Sequence, residues 1–436
     1  MSRLSGYHIM IISKYFNTIS DYITLECVCK LFNGNMSKFH YNPIPLSKKT
    51  IKFFPSLETL HVYNKQNETF GSSLRQLLSK KQKCLINKNA EQTEHIISTD
   101  YTFYKIIVWY IVSLNEYKLI TNNNTNIQFK NIQFSGDDWN HFNCDNIITI
   151  PNIVNSLKKY SFSFSDITSI KIPSSVTSFG DYCFHAVHQL KEIEIPKAVL
   201  SLGKNCFSFC TSMTKVVFPK HLLNIGNHCF SFCGKLTTIQ IPENRVFLPN
   251  GMTSLGKSCF DNCFNLKEIE MPKTLINVGD FCFSQCHSLE KISFHSDLKS
   301  IGMLCFHNCS NLSSVIFNTN KLEILSQQCF YMCKKLTNIN IPFGVKRLMK
   351  ECFGACSSLK LITLPESVEI LENDCFSGCK LITDVILPKS VSFVGNIFVY
   401  FCLIKMFNVN FVLILIFNKH DLLISQKNII QRNKQF

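Results

Sequence analysis

The sequence predicts an α/β solenoid, built from stacked repeats that share one long parallel sheet and carry short helical or 3₁₀ turns outside it. Three observations predict this. A Cys-Phe pair recurs with its Cys at 183, 206, 229, 259, 282, 305, 329, 352 and 375, mostly 23 residues apart. An L-x-x-I-x-I stretch follows each pair, as at Leu190, Ile193 and Ile195. Departures from the period fall in one connection: seven extra residues between Pro242 and Met252 (ENRVFLPNG), and one around Asn318 to Asn320. A fixed internal period of this size marks a repeat architecture whose units bury their apolar faces only by stacking.

Each element follows from local chemistry. The alternation of I-x-I places every second side chain inward on a short strand. Pro follows in most copies (Pro173, Pro196, Pro219, Pro242, Pro272, Pro342, Pro365, Pro388), and a residue without an N–H belongs where a ladder ends. The G-x-x-C-F-x-x-C stretch has apolar residues at i, i+1 and i+4, which suits one helical or 3₁₀ turn. Its Gly stands at 180, 203, 226, 256, 279, 302 and 395, but Ser326, Met349 and Glu372 replace it. Met tolerates positive φ poorly, so the site is expected to need a close backbone approach instead. An irregular first copy begins at Ile150-Pro151; in the last, Phe398 takes the first Cys position and Cys402 the second.

Four segments follow: a helical region at 1–45, mixed α/β structure at 46–149, the solenoid at 150–402 with about 10–11 repeats, and an irregular apolar and basic tail at 403–436. Within 46–149, FPSLETLHVYN (54–64) reads as an isolated strand and YTFYKIIVWYIVSL (101–114) as a buried helix or strand, while TNNNTN (121–126) reads as a polar loop. The net charge of +15 is spread as +5, +6 and +4 over residues 1–149, 150–402 and 403–436. Such thin spreading argues against a nucleic-acid surface, and the cluster Lys80, Lys81, Lys83 reads as a solvated loop. The start MSRLSGYHIMIISKYFN makes a poor secretory signal, since its apolar run is broken by His8; a cytoplasmic location is expected, with the cell surface as the alternative. Ile397–Phe417 is apolar, but Lys405, Asn408 and Asn410 interrupt it, so a membrane partner is not expected.

Eight complete Cys-Phe-x-x-Cys units hold sixteen of the 22 cysteines. A zinc site needs four ligands, and no His recurs at a fixed place. Disulfides between stacked units are within geometric reach, but the expected compartment is reducing. One catalytic thiol does not come in eight equivalent copies. Buried packing is the expected role, since free Cys behaves as a small hydrophobe and Val187 and Phe398 each replace one Cys. No phosphate loop, ordered nucleophile–base set or paired-carboxylate site is present, so neither an enzyme nor a cofactor is expected.

The repeated unit I-P-x-x-V-x-x-L-G-x-x-C-F-x-x-C-x-x-L-x-x-I-x-I-P resembles the 23-residue leucine-rich repeats of the BspA type, over about residues 150–402, with Cys where that family usually has Ala. The resemblance implies a curved, right-handed coil with its sheet on the concave face, and a protein-binding role; members include surface adhesins. Residues 21–32 of ISKYFNTISDYITLECVCKLF (12–32) look like the second half of an F-box, the helical module that docks on the adaptor of a cullin-type ubiquitin ligase; the usual leading Leu-Pro is absent. Phe16, Ile19, Asp21, Ile23, Leu25, Val28, Cys29 and Phe32 are the docking residues this likeness implies. The alternative is a helical cap on the first repeat.

Strand positions that point away from the core vary from repeat to repeat, as a binding surface on a constant frame would. They are Glu192, Glu194, Lys215, Val217, Thr238, Gln240, Glu268, Glu270, Lys291, Ser293, Ser314, Ile316, Asn338, Asn340, Leu361, Thr363, Asp384 and Ile386. The expected function is a protein-binding scaffold, with an F-box-like substrate receptor and a cell-surface adhesin as alternatives.

Overall fold

The computed structural model describes residues 5–70, 74, 101–122, 126–139, 147–240, 251–395 and 403–406. The Lys80, Lys81, Lys83 cluster, residues 123–125 of TNNNTN, the long insertion, Phe398, Cys402 and the tail beyond Met406 lie outside them. Two compact units emerge: Met1–Phe134 with Ile153–Asn155, and Ser135–Asn152 with Ser156–Phe436.

The larger unit is a parallel-strand solenoid. Its I-x-I strands pair in register one period apart, as in Glu192↔Lys215, Ile193↔Val216 and Glu194↔Val217, and again in Asn338↔Leu361 to Asn340↔Thr363. Leu403–Met406 adds a rung beyond the expected solenoid end, parallel to Asp384–Leu387. Pro opens a turn after the strand: the N–H of Val199 donates to the carbonyl of Pro196 (3.0 Å), and that of Val368 to Pro365 (3.1 Å).

The turn leads into a second short strand that the sequence reading did not separate. Ser201–Leu202, Asn224–Ile225, Ser254–Leu255 and Asn277–Val278 form one side ladder. Gly follows, and the reason is steric. A methyl group on Gly226 would stand 2.8 Å from the carbonyl carbon of Gly203; on Gly279 it would stand 2.7 Å from that of Gly256. Neither glycine is left-handed, so close approach of successive coils is what the position requires, as Met349 already implied.

The C-F-x-x-C segment refines the helical expectation. It carries 3₁₀-like bonds, such as Cys210 N–H to Phe207 O (3.3 Å). Two left-handed residues per turn interrupt them, for example Asn205 (φ 53°) and Phe209 (φ 60°). Alternate N–H groups are thereby turned toward the next coil: Asn205, Phe207 and Phe209 donate to the carbonyls of Asn227, Cys229 and Ser231 at 2.8–2.9 Å. Each coil is thus bonded to its neighbour on three sides.

Inside runs a spine of stacked phenylalanines: Phe162, Phe184, Phe207, Phe230, Phe260, Phe283, Phe306, Phe330, Phe353 and Phe376. Successive centroids lie 5.0–5.9 Å apart with planes within 12°, in the range where aromatic pairs attract beyond their buried area. Phe230 and Phe260 flank the long insertion and still stack at 5.5 Å, so the extra residues leave the spine unbroken. Ser161, Phe162 and Ser165 complete the irregular first rung, with Ser in both Cys places.

In the smaller unit, α1 (Gly6–Ser13) and α2 (Ile19–Val28) each begin at a capping box, on Ser5 and Thr18. Tyr22 anchors them: it is fully buried, edge-on to Phe16, Phe39 and Phe54, and its hydroxyl donates to the carbonyl of Ser13. The strand Thr59–Val62 is not isolated. It pairs in parallel with Lys105–Val108, which pairs with Ile127–Phe129. His61 stacks on Tyr41 at 4.6 Å and lies 5.6 Å from Trp109. Burial, helped by the charge of Lys130, brings its imidazole down to about 4. The unfolded chain therefore binds a proton that the native chain refuses between the ordinary value of 6.5 and about 4. This contribution to stability is whole above pH 6.5 and falls as the pH drops through that window. Urea midpoints measured from pH 7 to 4 are expected to fall less steeply for His61→Phe than for the native chain; parallel curves contradict this.

Candidate protein-binding face

The outward side of the I-x-I ladder is where the variable positions meet. On each strand the middle Ile or Val is buried and its neighbours face solvent, an exposed–buried–exposed pattern at Glu192–Glu194, Lys215–Val217, Glu268–Glu270, Asn338–Asn340 and Leu361–Thr363. Lys291, Ser293, Ile316 and Ile386 are likewise exposed, and Ser314 is half-buried. The strands carrying Thr238, Gln240 and Asp384 are in place, but those three side chains lie outside the described residues. Parallel pairing lines these positions up in columns: Glu192 beside Lys215, Ser293 beside Ile316, Asn340 beside Thr363.

The cysteines lie inward. Seventeen of the nineteen in the described residues are buried, and only Cys27 and Cys29 are exposed. The second Cys of each motif donates its S–H to the carbonyl of the Phe one coil back: Cys210 to Phe184 (3.1 Å), Cys286 to Phe260 (3.2 Å), Cys356 to Phe330 (3.1 Å). Burial pushes the Cys210 thiol up to about 12 and those of Cys206, Cys233 and Cys305 well above their ordinary value. A thiol that stays protonated in an apolar core is a poor nucleophile and metal ligand. Ellman's reagent is expected to leave the seventeen unmodified in the native protein and to react with them in denaturant. Modification of any one in the native state, located by mass spectrometry, contradicts this.

The docking positions implied by the F-box likeness fall on and around α2. Asp21, Ile23, Val28 and Cys29 are exposed; Phe16, Ile19, Leu25 and Phe32 are half-buried. Val28 is 65% exposed, with Leu31 beside it at 56%. One feature had no sequence signal: a shallow depression of about 200 Å³ on the second ladder, bounded by Glu323, Ile324, Lys346, Arg347, Glu369 and Ile370. Its charged rim is partly self-satisfied, with Lys346 3.6 Å from Glu323. Its residues come from three successive coils, which a linear reading does not align.

Comparison with known proteins bears on the repeats. The model of the BspA-type leucine-rich repeat region matches residues 139–247, 244–360 and 315–418, in six copies. Among solved structures, the chain is similar to a leucine-rich repeat protein of Bacteroides ovatus (24% identity over 57% of this chain and 83% of that one, TM-score 0.35). It is also similar to one of Eubacterium ventriosum (19%, 67% and 81%, TM-score 0.41). A third is a leucine-rich cell surface protein of Faecalibacterium prausnitzii (19%, 61% and 89%, TM-score 0.28). No curated protein matches significantly.

Proposed function

Because this chain belongs to the BspA-type leucine-rich repeat family, we propose that it is a non-enzymatic scaffold that binds a protein partner through the outward face of its I-x-I sheet. What supports the reading is one contrast. Inward positions repeat as Ile, Leu, Cys and Phe, while the exposed positions on the same strands run from Glu192 and Lys215 to Ile316, Asn340 and Leu361. A frame held constant under a varied, rigid surface is what recognition of an extended partner uses. The cytoplasm suits seventeen buried, reduced cysteines; protease shaving of intact cells tests surface display, as an adhesin would require.

A combined Glu270→Lys and Leu361→Asp chain is expected to lose partner capture from the producing cell at least tenfold with its melting temperature unchanged. Undiminished capture overturns the reading. The exposed Ile23, Val28 and Leu31 favour a second reading, in which the N-terminal helices dock a ubiquitin-ligase adaptor. Val28→Asp with Leu31→Asp should then abolish adaptor capture and leave the sheet-face partner bound; an adaptor that never co-purifies with the native chain sinks this second reading.

A further inference from the structure

The sheet face is not uniform along the solenoid. From Glu192 to Ser293, six of the eight described outward side chains are charged: Glu192, Glu194, Lys215, Glu268, Glu270 and Lys291. From Ser314 to Ile386 none of the described outward side chains is, and Asp384, whose side chain lies outside the described residues, is the one charged residue at the outward positions there. Ile316, Leu361 and Ile386 are 50%, 60% and 49% exposed, and Asn338, Asn340 and Thr363 offer hydrogen bonds without charge. Pairing sets Asn338 beside Leu361 and Asn340 beside Thr363, and the strands Ser314–Phe317 and Asp384–Leu387 neighbour these two on either side, so the six make one patch across successive strands. Aliphatic side chains left half-exposed on a stiff sheet, among amides and with a single carboxylate at the outward positions, give a surface whose core is cheap to desolvate. The mixed charges of the preceding coils suit solubility and steering more than tight contact.

Resting on the proposed binding face, we infer that the patch Ile316, Asn338, Asn340, Leu361, Thr363 and Ile386 is its energetic centre, and that it takes an uncharged apolar segment of a protein partner. Binding there is driven by apolar burial and therefore resists salt, whereas contacts on the Glu192–Lys291 part are screened at high ionic strength.

The test places the photo-cross-linker p-benzoylphenylalanine at position 361 or at position 270 of the full chain, in the producing cell. Mass spectrometry identifies the linked partner peptide. The expected result is a cross-link from position 361 to an uncharged peptide, kept when lysates are irradiated in 1 M NaCl and reduced at least tenfold by Ile386→Asp. A cross-link only from position 270, or one from 361 that 1 M salt abolishes or that lands on a charged peptide, overturns the patch and leaves the binding face standing. No cross-link from either position overturns both. Melting curves of each chain confirm that these exposed changes leave the fold intact.

Discussion

Phe283→Ala is expected to destabilise the solenoid by about 3–5 kcal/mol, several times the cost of Cys282→Ala at the adjacent position. Both side chains are fully buried, so burial alone does not separate them. Size and contact do. Phe283 lies between Phe260 and Phe306, 5.5 Å from each, and truncation leaves a ring-sized void in the middle of the spine while removing both stacking partners. Cys282→Ala removes one sulfur, and its expected cost is about 1 kcal/mol. Denaturant titrations of the two variants give the comparison; equal losses would mean that the Phe column is not the spine.

The second large effect belongs to Gly279. An added methyl group would meet the carbonyl carbon of Gly256 and the nitrogen of Lys257, each at 2.7 Å. These are backbone atoms of the neighbouring coil, locked in the side ladder by Asn277↔Ser254 and Val278↔Leu255, so they cannot turn aside as a flexible side chain would. Gly279→Ala is therefore expected to cost about 1–3 kcal/mol, the usual penalty for overfilling a packed site. Met349→Ala, at the equivalent position four coils from Gly256, changes a site that already holds a side chain and should cost less. A Gly279→Ala chain with native stability would show that the coils are not held this tightly.

Much of this was legible because it recurs. The strand, the Pro that closes it and the Gly of close approach each repeat often enough for substitutions to be informative: Met349 ruled out a demand for positive φ, and Val187 pointed to packing rather than ligation. What stayed hidden has physical reasons. The second strand is two residues long, too short for an alternation to show. The left-handed residues are Phe281 (φ 55°) and Leu304 (φ 52°) as often as Asn; tertiary bonds between coils override local preference there. The ladder Thr59–Val62, Lys105–Val108, Ile127–Phe129 escaped notice because its first two rungs are far apart in sequence and carry neither Cys nor Pro at the repeat positions. The S–H bonds of the second Cys column carry no mark beyond the Cys itself, which Val187 can replace. On the sheet face, which side chains point outward could be read from I-x-I, but their meeting in columns depends on strand register.

The central claim is that the Cys-Phe-x-x-Cys motif is scaffold and that recognition lies on the strands it supports. The most direct measurement is partner capture by a chain carrying Cys282→Ala and Cys286→Val, made at a temperature where melting curves show it folded. Capture equal to that of the native chain is the result expected. A folded chain that has lost its partner would contradict the claim and return the thiols to the centre of function.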